Sequence, residues 1–148
     1  MHEQDLVSEL GAWLMERGFS VAEDRQEGGF ENILLRYFGD GCEVHLVRER
    51  GKWGVLLTPP LGDPKLPPRI WRYYMDNIPL AAAISEQEEP FESEVAFVRN
   101  RLHEIAAVAQ REDIGDRLVA INWAIVKDRL GLDPGMPPPG QPGSRDSH

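Results

Sequence analysis

Between Asn32 and Pro59 the chain runs through three short segments of alternating residues, separated by two glycine-containing turns. No other feature limits its fold so tightly. In the first segment Ile33, Leu35 and Tyr37 share one side and Leu34, Arg36 and Phe38 the other, because successive strand residues point to opposite faces. Gly39-Asp40-Gly41 offers the positive backbone angles that a hairpin loop needs. In the second segment Cys42, Val44 and Leu46 share a face. Glu43, His45, Val47 and Glu49 share the other, which reads as solvated. Arg50-Gly51 makes the second turn, and Trp53, Val55 and Leu57 alternate in the third segment. Pro59-Pro60 close it, since proline cannot donate to a ladder. Such a sheet has one wetter face and needs cover on the other.

The flanking segments can supply that cover. Residues Glu3 to Arg17 place Leu6, Val7, Leu10, Trp13 and Leu14 on one side of a helix, with Gly18 where a left-handed cap would end it. Phe19 to Arg25 fits a further strand or an extended lead-in, and Glu27-Gly28-Gly29 a turn. After a proline-rich connection, Pro67-Pro68 can open a short helix carrying Ile70, Trp71 and Tyr74 on its buried side, ending near Asn77-Ile78-Pro79. Ala81 to Ile84 is too short to classify. Ser85-Glu86-Gln87-Glu88 has the form of a capping box, although Pro90 moves the helix start toward Phe91. From there Phe91, Val95, Val98, Leu102, Ile105 and Ala109 recur at helical spacing. Asp113 can cap a last helix bearing Ile114, Leu118, Ile121 and Ile125, with Gly131 as its stop. The short break at Arg111 to Asp113 implies that these two helices are antiparallel.

The expected class is α+β: an N-terminal helix, a three- to four-stranded antiparallel meander, and C-terminal helices packed on one face. Residues 1–132 form one domain. The core should contain Leu10, Leu14, Leu46, Val55, Leu57, Val98, Leu102 and Leu118. Residues 133–148, rich in proline and glycine and without apolar period, read as a disordered tail.

A formal charge of −9 disfavours direct nucleic-acid binding and docking on anionic lipid. The acidic, polar start does not resemble a secretory signal, and no apolar run is long enough to span a membrane. Cys42 is the sole cysteine, so neither an internal disulfide nor a cysteine-based zinc site can form; cytoplasmic localisation is the expectation.

Catalytic patterns are missing from the sequence. There is no phosphate loop, no serine elbow, and no paired histidines at metal-ligand spacing. Cys42 and His45 are three apart on a strand and so point to opposite faces, which opposes a dyad. His45 reads as a surface strand residue. No catalytic residue, metal or cofactor is therefore expected. Charge, however, is uneven. Residues 43 to 73 carry six basic and three acidic side chains, and residues 74 to 113 carry three basic and nine acidic. Glu86, Glu88, Glu89, Glu92 and Glu94 crowd one helix start, where they either favour the helix dipole or form an acidic patch for a basic partner. The consecutive Trp71, Arg72, Tyr73 and Tyr74 cannot all be buried by one helix face, so Trp71 or Tyr73 should be partly exposed as an interface anchor. The partner-binding candidates are Trp71, Tyr74, Glu86, Glu88, Glu89 and Glu92.

Four segments carry a resemblance: Leu14-Met15-Glu16-Arg17-Gly18-Phe19-Ser20-Val21, the stretch Cys42 to Val55, Ile70-Trp71-Arg72-Tyr73-Tyr74, and Glu94 to Leu102. In this order they resemble small actinobacterial immunity-type proteins that accompany polymorphic toxins. The resemblance implies a non-catalytic cytoplasmic inhibitor that binds one toxin domain, possessing no fixed set of binding residues. The chain is also similar to type III secretion chaperones, which implies an effector or client as partner. A third reading, a hydrolase with a dispersed carboxylate site, stays open alongside them. Oligomeric state is not fixed by any of these patterns.

Overall fold

Helix α1 spans Glu3–Glu16 and buries Val7, Leu10, Gly11 and Leu14 at intervals of three and four. The structure, a computed structural model, describes residues 2–26, 32–39, 41–60 and 62–138. A Cβ on Gly11 would collide with the Tyr37 hydroxyl, so the glycine lets the helix approach the sheet. Gly18, at φ +90, ends α1 while the Phe19 N–H reaches back to the Leu14 carbonyl.

Four antiparallel strands follow: β1 (Ser20–Gln26), β2 (Asn32–Phe38), β3 (Glu43–Glu49) and β4 (Lys52–Thr58), ordered in the sheet as in the chain. The segment after Phe19 is thus a strand. Arg50 and Gly51 both have positive φ, as a two-residue hairpin turn of this hand requires. Glu27, Gly28, Gly29 and Asp40 lie outside the described residues.

The register fixes the two faces. Tyr37 pairs with Val44, and Val44 with Leu57; Leu35 pairs with Leu46, and Leu46 with Val55. These residues meet Leu10 and Leu14 of α1 in one core. His45 lies between Arg36 and Leu56 on the opposite face. There Leu34, Phe38, Val47 and Leu56 are half-buried and stay outside that core.

Four helices complete the domain: α2 (Pro68–Met75), α3 (Leu80–Ser85), α4 (Phe91–Ala109) and α5 (Ile114–Leu130). Pro68 stands in the first turn of α2, where a missing N–H costs nothing. Leu66 just before it exchanges backbone hydrogen bonds with Leu57, so the proline-rich connection shields part of the β4 edge. None of the described helices is long and apolar enough to cross a membrane.

Several expectations are corrected. Leu80–Ser85 is a helix, and Ser85 closes it by donating to the Ala82 carbonyl instead of opening α4 with a capping box. Asp113 precedes α5 without a side-chain cap; its carboxylate takes Arg117 instead. α5 packs mainly on α2 and α3, while α4 packs on β4, α1 and α2. The short turn sets proximity of the ends but not which neighbour the helix finds. Seven of the eight expected core residues are buried; Leu102 is only half-buried. The start of the tail also packs. Trp123 Nε1 donates to the Met136 carbonyl at 2.7 Å, and Lys127 to the Pro134 carbonyl. Residues 139–148 lie outside the described residues.

Candidate partner-binding surface

The six residues singled out from the sequence do not form one surface. Trp71 has no exposure, and its Nε1 donates to the Leu57 carbonyl at 3.3 Å. Tyr73 is buried as well, so neither aromatic reaches the surface as expected. The physical reason is that α2 is flanked by β4, α4 and α5 at once, which buries more than one side of it. Tyr74 is half-buried and accepts a hydrogen bond from Arg111 at 2.6 Å. It lines a polar hollow with Glu104 and Arg117, a hollow that none of the run's glutamates lines.

The glutamate run itself divides. Glu86 accepts from Arg72 at 2.6 Å and from the Tyr73 hydroxyl at 3.2 Å. Glu89 is 3.8 Å from Arg72. Burial opposes the Arg72 charge, but the Glu86 hydrogen bond and both carboxylates outweigh it and raise the Arg72 pKa. These contacts anchor the α3–α4 connection on α2. Glu88 and Glu92 are exposed, and among the described residues no cation is placed against either.

Glu94 belongs in the sequence to the acidic run at the start of α4, and the structure gives it a place of its own. From the first turn of α4 it reaches the edge of β4, where its Oε1 accepts the Val55 N–H at 3.1 Å. Its pKa is pushed up to about 7, by burial first and by the charges of Glu89 and Glu88, against the Val55 hydrogen bond and Arg69. The charges of Glu88 and Glu89 thus add to burial in favouring the protonated form of Glu94. Beside it runs a shallow groove of about 280 Å³ between Trp53, Leu56, Pro67 and Glu94. Val55 and Leu57 both direct backbone groups outward along this edge, and alternation directs Trp53 the same way. The signal that could have revealed Glu94 is its i, i+4 relation to Val98, which turns it partly inward.

His45 is the other departure. It is fully buried, as is most of Glu43, whereas their face reads as solvated in the sequence. His45 Nε2 and Glu43 Oε1 are 2.9 Å apart, and Arg36 lies 3.5 Å from the same oxygen. Burial lowers the His45 pKa and prevails over the Glu43 carboxylate, which raises it. Neutral His45 then donates from Nε2 to Glu43. Alternation separated His45 from Cys42 correctly but said nothing of which face would be closed.

Among the described residues no group of three or more His, Cys, Asp and Glu side chains comes together to hold a metal. No protein-family model, curated protein or solved structure matches the chain.

Proposed function

We propose that the protein is a non-catalytic, protein-binding module of the immunity type, which neutralises a cognate basic toxin domain by stoichiometric binding in the cytoplasm. One observation carries this reading. The ridge where α3 leads into α4 exposes Glu88 and Glu92 without a cation among the described residues, next to Glu94, whose pKa is pushed up to about 7. Accumulated like charge destabilises a fold, and a basic partner relieves it on binding. Glu86 and Glu89 set the ridge's position through Arg72.

A second reading, a chaperone-like protein similar to those of type III secretion, is favoured by the half-buried Leu34, Phe38, Val47 and Leu56 outside the core. An extended client segment would cover that apolar strip.

The test co-expresses the tagged chain with the toxin domain encoded beside it and measures association by surface-immobilised kinetics. Glu88→Lys with Glu92→Lys should lower the on-rate by about tenfold or more at low salt, and added salt should shrink the difference. An unchanged on-rate removes the ridge from the interface. Loss of binding on Leu34→Asp instead would transfer the contact to the sheet face and favour the client reading. Steady turnover of an ester, peptide or phosphate substrate by the purified protein would replace both with the hydrolase reading.

A further inference from the structure

α4 departs from helical geometry at Arg101, with φ −130 and ψ 19. The Arg101 guanidinium is turned away to Asp76, which accepts two hydrogen bonds of 2.9 Å, and to Glu104. Next to this break, a cleft of about 440 Å³ opens between α4 and α1, lined by Trp13, Phe19, Leu102 and Ala106 with Arg17 and Arg99. A second hollow of about 440 Å³ shares Trp13, Arg17, Arg99 and Asn100 and continues toward Leu6. The two make one trough along the α1–α4 seam. Leu102 is half-buried because it forms part of this trough's wall.

The electrostatics of the trough oppose those of the chain. The half-buried Trp13 ring has the Arg17 guanidinium 3.8 Å from its centroid and that of Arg99 at 5.7 Å. Arg72, Arg101 and Arg117 each sit on a carboxylate at 3.0 Å or less. Among the described residues the one carboxylate paired with Arg17 is Glu16, at 4.0 Å and with both side chains well exposed, and Arg17 also donates to the Trp13 carbonyl at 3.1 Å. Arg99 is exposed and has no ion pair among the described residues. In a protein of net charge −9, two guanidiniums on an aromatic floor, with Glu16 only at 4.0 Å from Arg17 and Glu92 on the lining of the second hollow, make a local site for carboxylates.

We propose that this trough binds an acidic peptide segment of a partner protein. The two guanidiniums would take carboxylates from the peptide, a pairing that arginine makes with two parallel hydrogen bonds. Trp13 and Leu102 would take an apolar side chain between them, as tryptophan and arginine do at the centre of many interfaces. The two joined hollows give room for an extended segment rather than a compact anion. Glu92, at the Leu6 end, limits how far an acidic chain can run. Glu92 borders both the trough and the acidic ridge, but the arginines and Trp13 that would take the peptide are not part of the ridge, so the inference concerns a different contact.

The experiment probes an array of random heptapeptides with the full chain and measures the enriched peptides by fluorescence anisotropy. Enriched sequences should combine Asp or Glu with Phe or Leu. Arg17→Glu with Arg99→Glu should weaken them by about tenfold or more, Arg99→Ala by less, and Glu88→Lys should leave them unchanged. Melting curves verify that each variant is folded; Arg99→Ala removes only an exposed side chain and serves if the double variant is not. Any of four outcomes overturns the proposal: no saturable binding, enrichment of basic peptides, equal affinity for the variants, or full displacement by millimolar inorganic phosphate, which would mean a generic anion site.

Discussion

β3 places two kinds of burial side by side. Val44 and Leu46 point into a core shared with α1 and α4, where removal of apolar surface from water supplies the stability. His45, between them, points the other way and is equally closed to solvent, yet it is held by Glu43, whose carboxylate also meets Arg36, and is flanked by half-buried Leu56. The same degree of burial thus rests on different chemistry. The first face tolerates loss of a contact in proportion to the cavity left behind. The second depends on the His45–Glu43 pair, because His45 Nδ1 is already buried without a hydrogen-bond partner among the described residues and a further unpaired group incurs its full desolvation cost.

The largest effect should come from Leu57→Ala, at about 2–5 kcal/mol in urea melts, because Leu57 is fully buried in the core. Leu56→Ala, one residue along on the other face, should cost clearly less. Equal losses would erase the distinction between the faces. Glu43→Ala should cost about 1–3 kcal/mol at pH 7, since it strips the partner from buried His45. A neutral result would show that the polar pair contributes no net stability.

pH sharpens the comparison, because His45 and Glu94 oppose each other. The folded pKa of His45 is below its usual 6.5, so the folded state binds fewer protons and stability is lost as pH falls below 6.5. The folded pKa of Glu94 is raised from 4.5 to about 7, so the folded state binds more protons and stability is lost as pH rises between those values. Burial is the leading cause of both shifts; Arg36 and Lys65 reinforce the first, Glu88 and Glu89 the second. Glu94→Gln should therefore remove a downward slope between pH 4.5 and 7 in urea midpoints. His45→Gln should remove an upward one. Parallel profiles for wild type and both variants would contradict these assignments.

Smaller effects concern the margins. Leu102→Ala should cost less than about 2 kcal/mol in the same melts, below the usual range for a core leucine. Truncation after Pro138 should leave the melting temperature unchanged. Truncation after Leu132 should lower it by about a few degrees, since it removes the acceptors of Trp123 and Lys127.

The elements legible in the sequence are those written in a period. Alternation located β2 to β4 and the correct inward set, and the spacing of three and four located α1, α4 and α5. Legibility ended where a residue's environment is set by a distant element. The exposure of Trp71 and Tyr73 depends on α2 having three neighbours. The half-burial of Leu102 reflects its place in a trough beside the break in α4 at Arg101. Glu86 and Glu94 look alike in the sequence, but one meets Arg72 and the other a strand edge. Of the expected binding residues, only Glu88 and Glu92 keep the exposure that the reading gave them.

The strand order has a kinetic consequence. Every strand lies next to its chain neighbour, so each ladder closes a loop of only a few residues. Short loops lose little entropy on closure, and hairpins of this size form in about 1–10 μs. The contacts that join α1 to α4 span most of the domain and must wait for longer loops to close. Folding should then be limited by the docking of α4 across the sheet. Substitutions at Val98 and Ile105 should slow refolding, whereas changes in the β3–β4 turn should mainly alter how readily the sheet is nucleated.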